Sequence, residues 1–90
     1  MEVDLEFLNI IETISYLQQT NWKFLTVRRL RKYLGIESEN TRLIRKISNT
    51  LVWLEHFGFL EVVQRRSPKR YRIHPEFYIK TRDIIRIYKK

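Results

Sequence analysis

The sequence predicts an α+β fold, mainly helical, with a three-helix core, a two-stranded β-hairpin and an extra C-terminal helix. Three observations point there. Apolar residues recur every three or four positions over several segments, the period of a helix. One later segment alternates and is rich in β-branched residues, the pattern of a strand. The two glycines and two prolines fall where these segments end, as turn punctuation. The chain has 90 residues, 43% of them hydrophobic and 31% charged. That length and composition predict a single domain over 1–90 with a modest core.

Residues 4–19 read as the first helix. Asp4 is its N-cap, and Glu6 lies in the first turn, where the helix dipole favours an acid. Leu5, Leu8, Ile11, Ile14 and Leu17 form its apolar stripe. Phe7, Ile10 and Tyr16 widen that stripe beyond one contact face, which points to a second partner. Residues 20–25 break the pattern, and Trp22 and Phe24 suggest a short extended segment. Thr26 caps a second helix over 27–34, with Val27, Leu30 and Leu34 inward and Arg28, Arg29, Arg31 and Lys32 outward. Gly35 closes it at the position that favours a left-handed residue.

A turn over 36–40 leads to a third helix, capped by Ser38 or Asn40, running to about Phe57 and closed by Gly58. Ile44, Ile47, Leu51 and Leu54 face inward. Arg42, Arg45 and Asn49 form the opposite stripe, which Trp53 and His56 continue. Residues 59–65 are a strand, 66–69 a turn at Pro68, and 70–73 the returning strand. Pro75 suits the first turn of a last helix over 75–88, with His74 as a candidate cap. This helix uses Phe77, Ile84 and Tyr88, flanked by Tyr78 and Ile85, and ends at Lys89 and Lys90, favourable beside a helix C-terminus.

Charge narrows the partner. Lysine and arginine outnumber acids 18 to 10, a net +8, and the excess is one-sided. Residues 1–20 carry only acids (Glu2, Asp4, Glu6, Glu12), and every base lies in 21–90. A concentrated basic excess is the footprint of a polyanion binder, although a highly charged soluble surface is the plainer explanation. Cysteine is absent, which removes disulfides and thiolate chemistry. No apolar run is long enough to span a bilayer, and the acidic start is unlike a signal peptide, so a cytoplasmic protein is expected. His56 and His74 lie in different elements, and no Ser–His–acid set, glycine-rich phosphate loop or His-x-x-x-His occurs. Glu37 and Glu39 read as solvent-facing turn residues rather than an acid/base pair. His74 with Glu76 offers two ligands, fewer than a metal site needs. The expectation is a non-enzyme with no catalytic residues, no metal and no cofactor.

Two helices joined by a short turn and followed by a basic hairpin resemble the winged helix-turn-helix family. The resemblance rests on LTVRRLRKYLG (25–35), similar to the first motif helix with its glycine, and on LEHFGFLEVV (54–63), similar to the family's exit into the wing. QRRSPKRYRI (64–73) resembles the wing itself. Size and Ile/Lys/Arg bias resemble small transcription regulators of archaea and their viruses. The helix-turn-helix is thus expected over 26–57 and the wing over 59–73. The resemblance implies that the third helix enters the DNA major groove while the wing touches the backbone or minor groove.

The residues suit those roles. Arginine pairs bidentately with guanine and asparagine with adenine, so Arg42, Arg45 and Asn49 have readout chemistry. Thr41 and Lys46 flank them and can hold phosphates. An ordinary solvated helix face is the alternative. Arg65, Arg66, Lys69, Arg70 and Arg72 crowd one hairpin, where a polyanion would relieve their repulsion. Protection of the sheet edge is the alternative, but one or two charges suffice for that. Arg28 and Arg29 add backbone contacts, although residues 28–32 wrap too much of a turn to share one surface. Trp53 is either core or a partner's anchor.

Sequence-specific double-stranded DNA binding with transcription regulation, in a nucleoid-associated protein, is therefore the expected function. A winged-helix protein-interaction module of replication, transcription or division machinery competes with it, as does RNA binding. A membrane-surface role is disfavoured, because the basic second helix lacks a large apolar face. A homodimer is also expected, from surplus apolar surface on the first and last helices and from their opposite charge.

Overall fold

The computed structural model describes residues 4–88, with Tyr88 described by its backbone alone. Lys89, Lys90 and the Tyr88 side chain, assigned above to the last helix, lie outside the described residues. The elements run α1 (Leu5–Gln19), β1 (Phe24–Leu25), α2 (Val27–Tyr33), α3 (Thr41–His56), β2 (Leu60–Gln64), β3 (Arg70–Ile73) and α4 (Phe77–Tyr88). The fold is α+β and mainly helical.

Each of the first three helices starts on a side chain that takes an orphan backbone N–H. Asp4 accepts from Phe7, Thr26 from Arg29, and Asn40 from Leu43. Asn40, not Ser38, is therefore the cap of α3. These helices end on or near a left-handed residue: Asn21 at φ 74°, Gly35 at 71° and Gly58 at 82°. Asn21 does for α1 what the glycines do for α2 and α3, since asparagine tolerates this region better than most side chains. The start of α4 is built differently. Pro75 precedes the helix instead of standing in its first turn. His74 Nδ1 accepts from the Glu76 N–H at 3.0 Å, and Gln18 Oε1, from α1, accepts from the Tyr78 N–H at 3.3 Å.

The sheet has three strands, in the order β1–β3–β2 and antiparallel throughout. The expected two-stranded hairpin is thus extended by the segment before α2. Phe24 pairs with Arg72 and Leu25 with Tyr71, and the Ile73 N–H donates to the Lys23 carbonyl at 2.8 Å. A free edge of β3 would leave backbone groups unpaired, and two residues of β1 suffice to cover it. Within the hairpin the register shifts between Val62 and Gln64, a bulge. The Gln64 amide then closes the turn by donating to the Pro68 carbonyl at 2.7 Å.

The core corrects the first-helix stripe. Phe7 and Ile10, read as surplus, are buried, whereas Leu5 is 62% exposed. The reason is that α1 packs against both α3 and α4, so its buried face is wide and turned towards Phe7. Phe77 is wholly buried, and Ile84 and Ile85 pack against the same core. Ser15 and Thr81, both buried, meet across the α1–α4 seam with hydroxyls 3.3 Å apart. The surplus apolar surface that suggested a dimer is therefore largely covered within one chain. Tyr16, Tyr78, Ile79 and Ile87 remain exposed.

Candidate nucleic-acid interface

α3 presents an exposed face because its other face carries Ile47, Thr50, Leu51 and Leu54 into the core. On the exposed side stand Arg42, Arg45, Asn49, Val52 and His56, spaced by three or four residues as one face requires. Val52 takes the place expected for Trp53. The Trp53 ring turns towards the core, edge-on to Phe7 with centroids 4.9 Å apart, and leans on Phe57 at 4.6 Å. A large indole gains more from half-burial against Phe7 than a valine would. Thr41 is exposed in the first turn.

Two of the expected contact residues on α3 are held by α1. Arg42 donates from both terminal nitrogens to the two carboxylate oxygens of Glu6, each at 3.0 Å. Lys46 donates to Asp4 Oδ2, while Oδ1 of the same carboxylate keeps the Phe7 N–H. The Lys46 hydrogen bond holds the Asp4 carboxyl below its ordinary pKa, and the Phe7 N–H adds to this. The Arg42 guanidinium lowers the Glu6 pKa, and Glu6 in turn raises that of Arg42. By contrast, Arg45 and Asn49 have no side-chain partner among the described residues and point into solvent.

The hairpin cations divide in the same way. Arg72 pairs with Glu61 across the strands, and Arg65 reaches Glu55 of α3 at 3.9 Å. Arg70 lies over the Phe24 ring at 4.8 Å and Lys69 over the Tyr71 ring at 5.1 Å. Arg66, at the turn, is exposed, and its side chain makes no hydrogen bond, ion pair or ring contact among the described residues. On α2, Arg28 is exposed, Arg29 stacks on Trp22 at 3.9 Å, and Arg31 is turned back to the Ile36 carbonyl at 2.8 Å. The hairpin crowding inferred from sequence is thus relieved mostly inside the molecule, by two carboxylates and two aromatic rings.

Sequence reasoning missed the acids of α1 as partners of α3, and it missed Trp22 as the platform under Arg29. The Arg42–Glu6 pair spans 36 residues and the Lys46–Asp4 pair 42. Only the opposite charge of the two segments hints at them, and in the sequence the last helix is as good a match for those acids. Among the described residues no group of three His, Cys, Asp or Glu stands close enough to hold a metal ion. No helix of the described chain is long and apolar enough to cross a membrane. Comparison with protein-family models, curated proteins and solved structures finds no match.

Proposed function

We propose that this chain binds double-stranded DNA as a winged helix-turn-helix protein and acts in transcription regulation, in the cytoplasm at the nucleoid. The observation that carries the proposal is the pair Arg45 and Asn49. They stand one helical turn apart on the exposed face of α3, unpartnered among the described residues, with side chains matched to guanine and adenine edges. α3 is the second helix of a packed pair joined over residues 34–40, the place a recognition helix takes. The hairpin that follows is the wing, and Arg66 at its tip is the cation most available to a phosphate. Arg28 on α2 supplies a further backbone contact. The proposed functional unit is a dimer formed along the α1–α4 edge at Tyr16 and Tyr78, because one recognition helix reads few base pairs.

Fluorescence anisotropy of a labelled random duplex at two salt concentrations tests this. Binding that weakens steeply with salt supports DNA contact, since phosphate neutralisation releases counterions. Absence of binding at low salt overturns it. Preference for single-stranded RNA in competition would reassign the protein to RNA. A protein partner is the second reading, favoured by Phe57, which is 57% exposed beside the half-buried Trp53.

A further inference from the structure

Arg42 and Lys46 occupy the N-terminal half of α3, and both are held by carboxylates of α1, but the two ion pairs differ in kind. Lys46 is largely enclosed, its side chain 17% exposed, and its partner Asp4 is also the N-cap of α1. That pair is part of the α1–α3 packing. The Arg42–Glu6 pair stands in water, with side chains 72% and 40% exposed. Its fork geometry, two parallel N–H donors on two oxygens, is the geometry in which a guanidinium takes a phosphate. An exposed pair of this type is held only weakly, so an incoming anion can displace it.

We propose that Glu6 competes inside the molecule with nucleic-acid phosphate for Arg42, so that the start of α1 masks one end of the face presented by α3. This rests on the DNA-binding proposal above and concerns the regulation of that same face. Arg42 lies on the exposed stripe with Arg45 and Asn49. A duplex laid along that stripe brings phosphate towards the guanidinium and, with it, towards the Glu6 carboxylate. Binding then needs Arg42 to exchange one anion for another, and the displaced carboxylate remains nearby as a like charge. Both effects lower affinity for any duplex. They leave the unpartnered Arg45 and Asn49 untouched, so the mask weakens sequence-independent binding more than base readout.

The test is a double-mutant cycle on duplex affinity, using the full chain, random-sequence duplex and low salt. Glu6→Gln keeps the shape of the side chain and removes its charge. It is expected to tighten binding by about two- to five-fold, the range for releasing an exposed ion pair. In an Arg42→Ala background the same substitution is expected to gain clearly less, because no guanidinium is left to release and only the like charge of Glu6 is removed. Glu6→Ala should reproduce Glu6→Gln, with thermal melts showing both variants folded. A gain of undiminished size in the Arg42→Ala background would show general loss of repulsion and overturn the mask. So would a Glu6→Gln variant that binds no better than the wild type. If the wild type, Glu6→Gln and Arg42→Ala all fail to bind duplex, the DNA-binding proposal itself falls, and the mask with it.

Discussion

The side-chain amide of Gln18 and the backbone of Tyr78 are joined by a hydrogen bond across 60 residues of sequence. The same amide donates to the Pro75 carbonyl at 2.9 Å. Gln18 thereby supplies from α1 the first-turn partner that α4 lacks in its own sequence. Gln18→Ala should destabilise the fold by about 1 kcal/mol, the usual cost of a lost cap or hydrogen bond. Urea unfolding would show a lower midpoint with an unchanged slope. An unchanged midpoint would mean that water replaces the amide without loss.

Arg45→Ala and Asn49→Ala should each relax preference at one base pair, by about 1–3 kcal/mol per lost bidentate contact. Selection of bound duplexes from a random pool, followed by titration of single-base variants, measures this. Equal weakening on every sequence would reassign both residues to phosphate contact.

The hairpin cations should not behave alike. Arg66→Ala removes a cation with no internal partner among the described residues and should lower the salt slope of binding by about one. Arg72→Ala removes a cation already engaged by Glu61 and should change the slope less. Equal slopes for the two variants would show that pairing within the sheet does not decide which cations reach the duplex.

Acid should weaken the tie between α1 and α3. The Asp4 and Glu6 pKa values are lowered in the folded chain by Lys46 and Arg42. A carboxylate with a depressed folded pKa contributes stability that is fully present above its unfolded value and disappears as pH falls through the folded one. Stability should therefore decline from about pH 4 downwards. The Asp4→Asn, Glu6→Gln double variant, which keeps an N-cap oxygen, should decline less steeply. Parallel pH profiles from chemical denaturation would refute this.

Sedimentation equilibrium at micromolar concentration tests the dimer. A monomer mass, free and on DNA, would end it. If a dimer forms, Tyr78→Asp should dissociate it without unfolding. Phe77→Asp cannot serve as the probe, because Phe77 is wholly buried and a charge there would unfold the chain.

The legible parts of this fold were local. The caps Asp4 and Thr26 and the closing residues Gly35 and Gly58 lie within a turn of what they terminate, so their chemistry is readable in a short window. The edges of α3, β2 and β3 follow from periodicity for the same reason. What escaped was set by distant chain. Trp22 and Phe24 mark β1 as extended, but its pairing with β3 is set by a strand some 45 residues away, and nothing within residues 20–25 names that partner. Phe7 outranks Leu5 because α1 has two neighbours, and Trp53 outranks Val52 because Phe7 is across from it. At the candidate site, residue type was legible but availability was not. Arg42 and Arg45 look equivalent in sequence, and only the position of Glu6 separates them.

The order β1–β3–β2 has a mechanical consequence. The central strand is the last of the three in the chain, so β1 and β2 are both fastened to β3. The α2–α3 pair is the stretch of chain between those two fastenings. Thr26, which caps α2, follows β1 directly, and only residues 57–59 separate α3 from β2. A force applied at the hairpin tip therefore passes through β3 to both ends of the helix pair, with no slack segment to absorb it. Hairpin and helices should tilt as one lever, not flex independently.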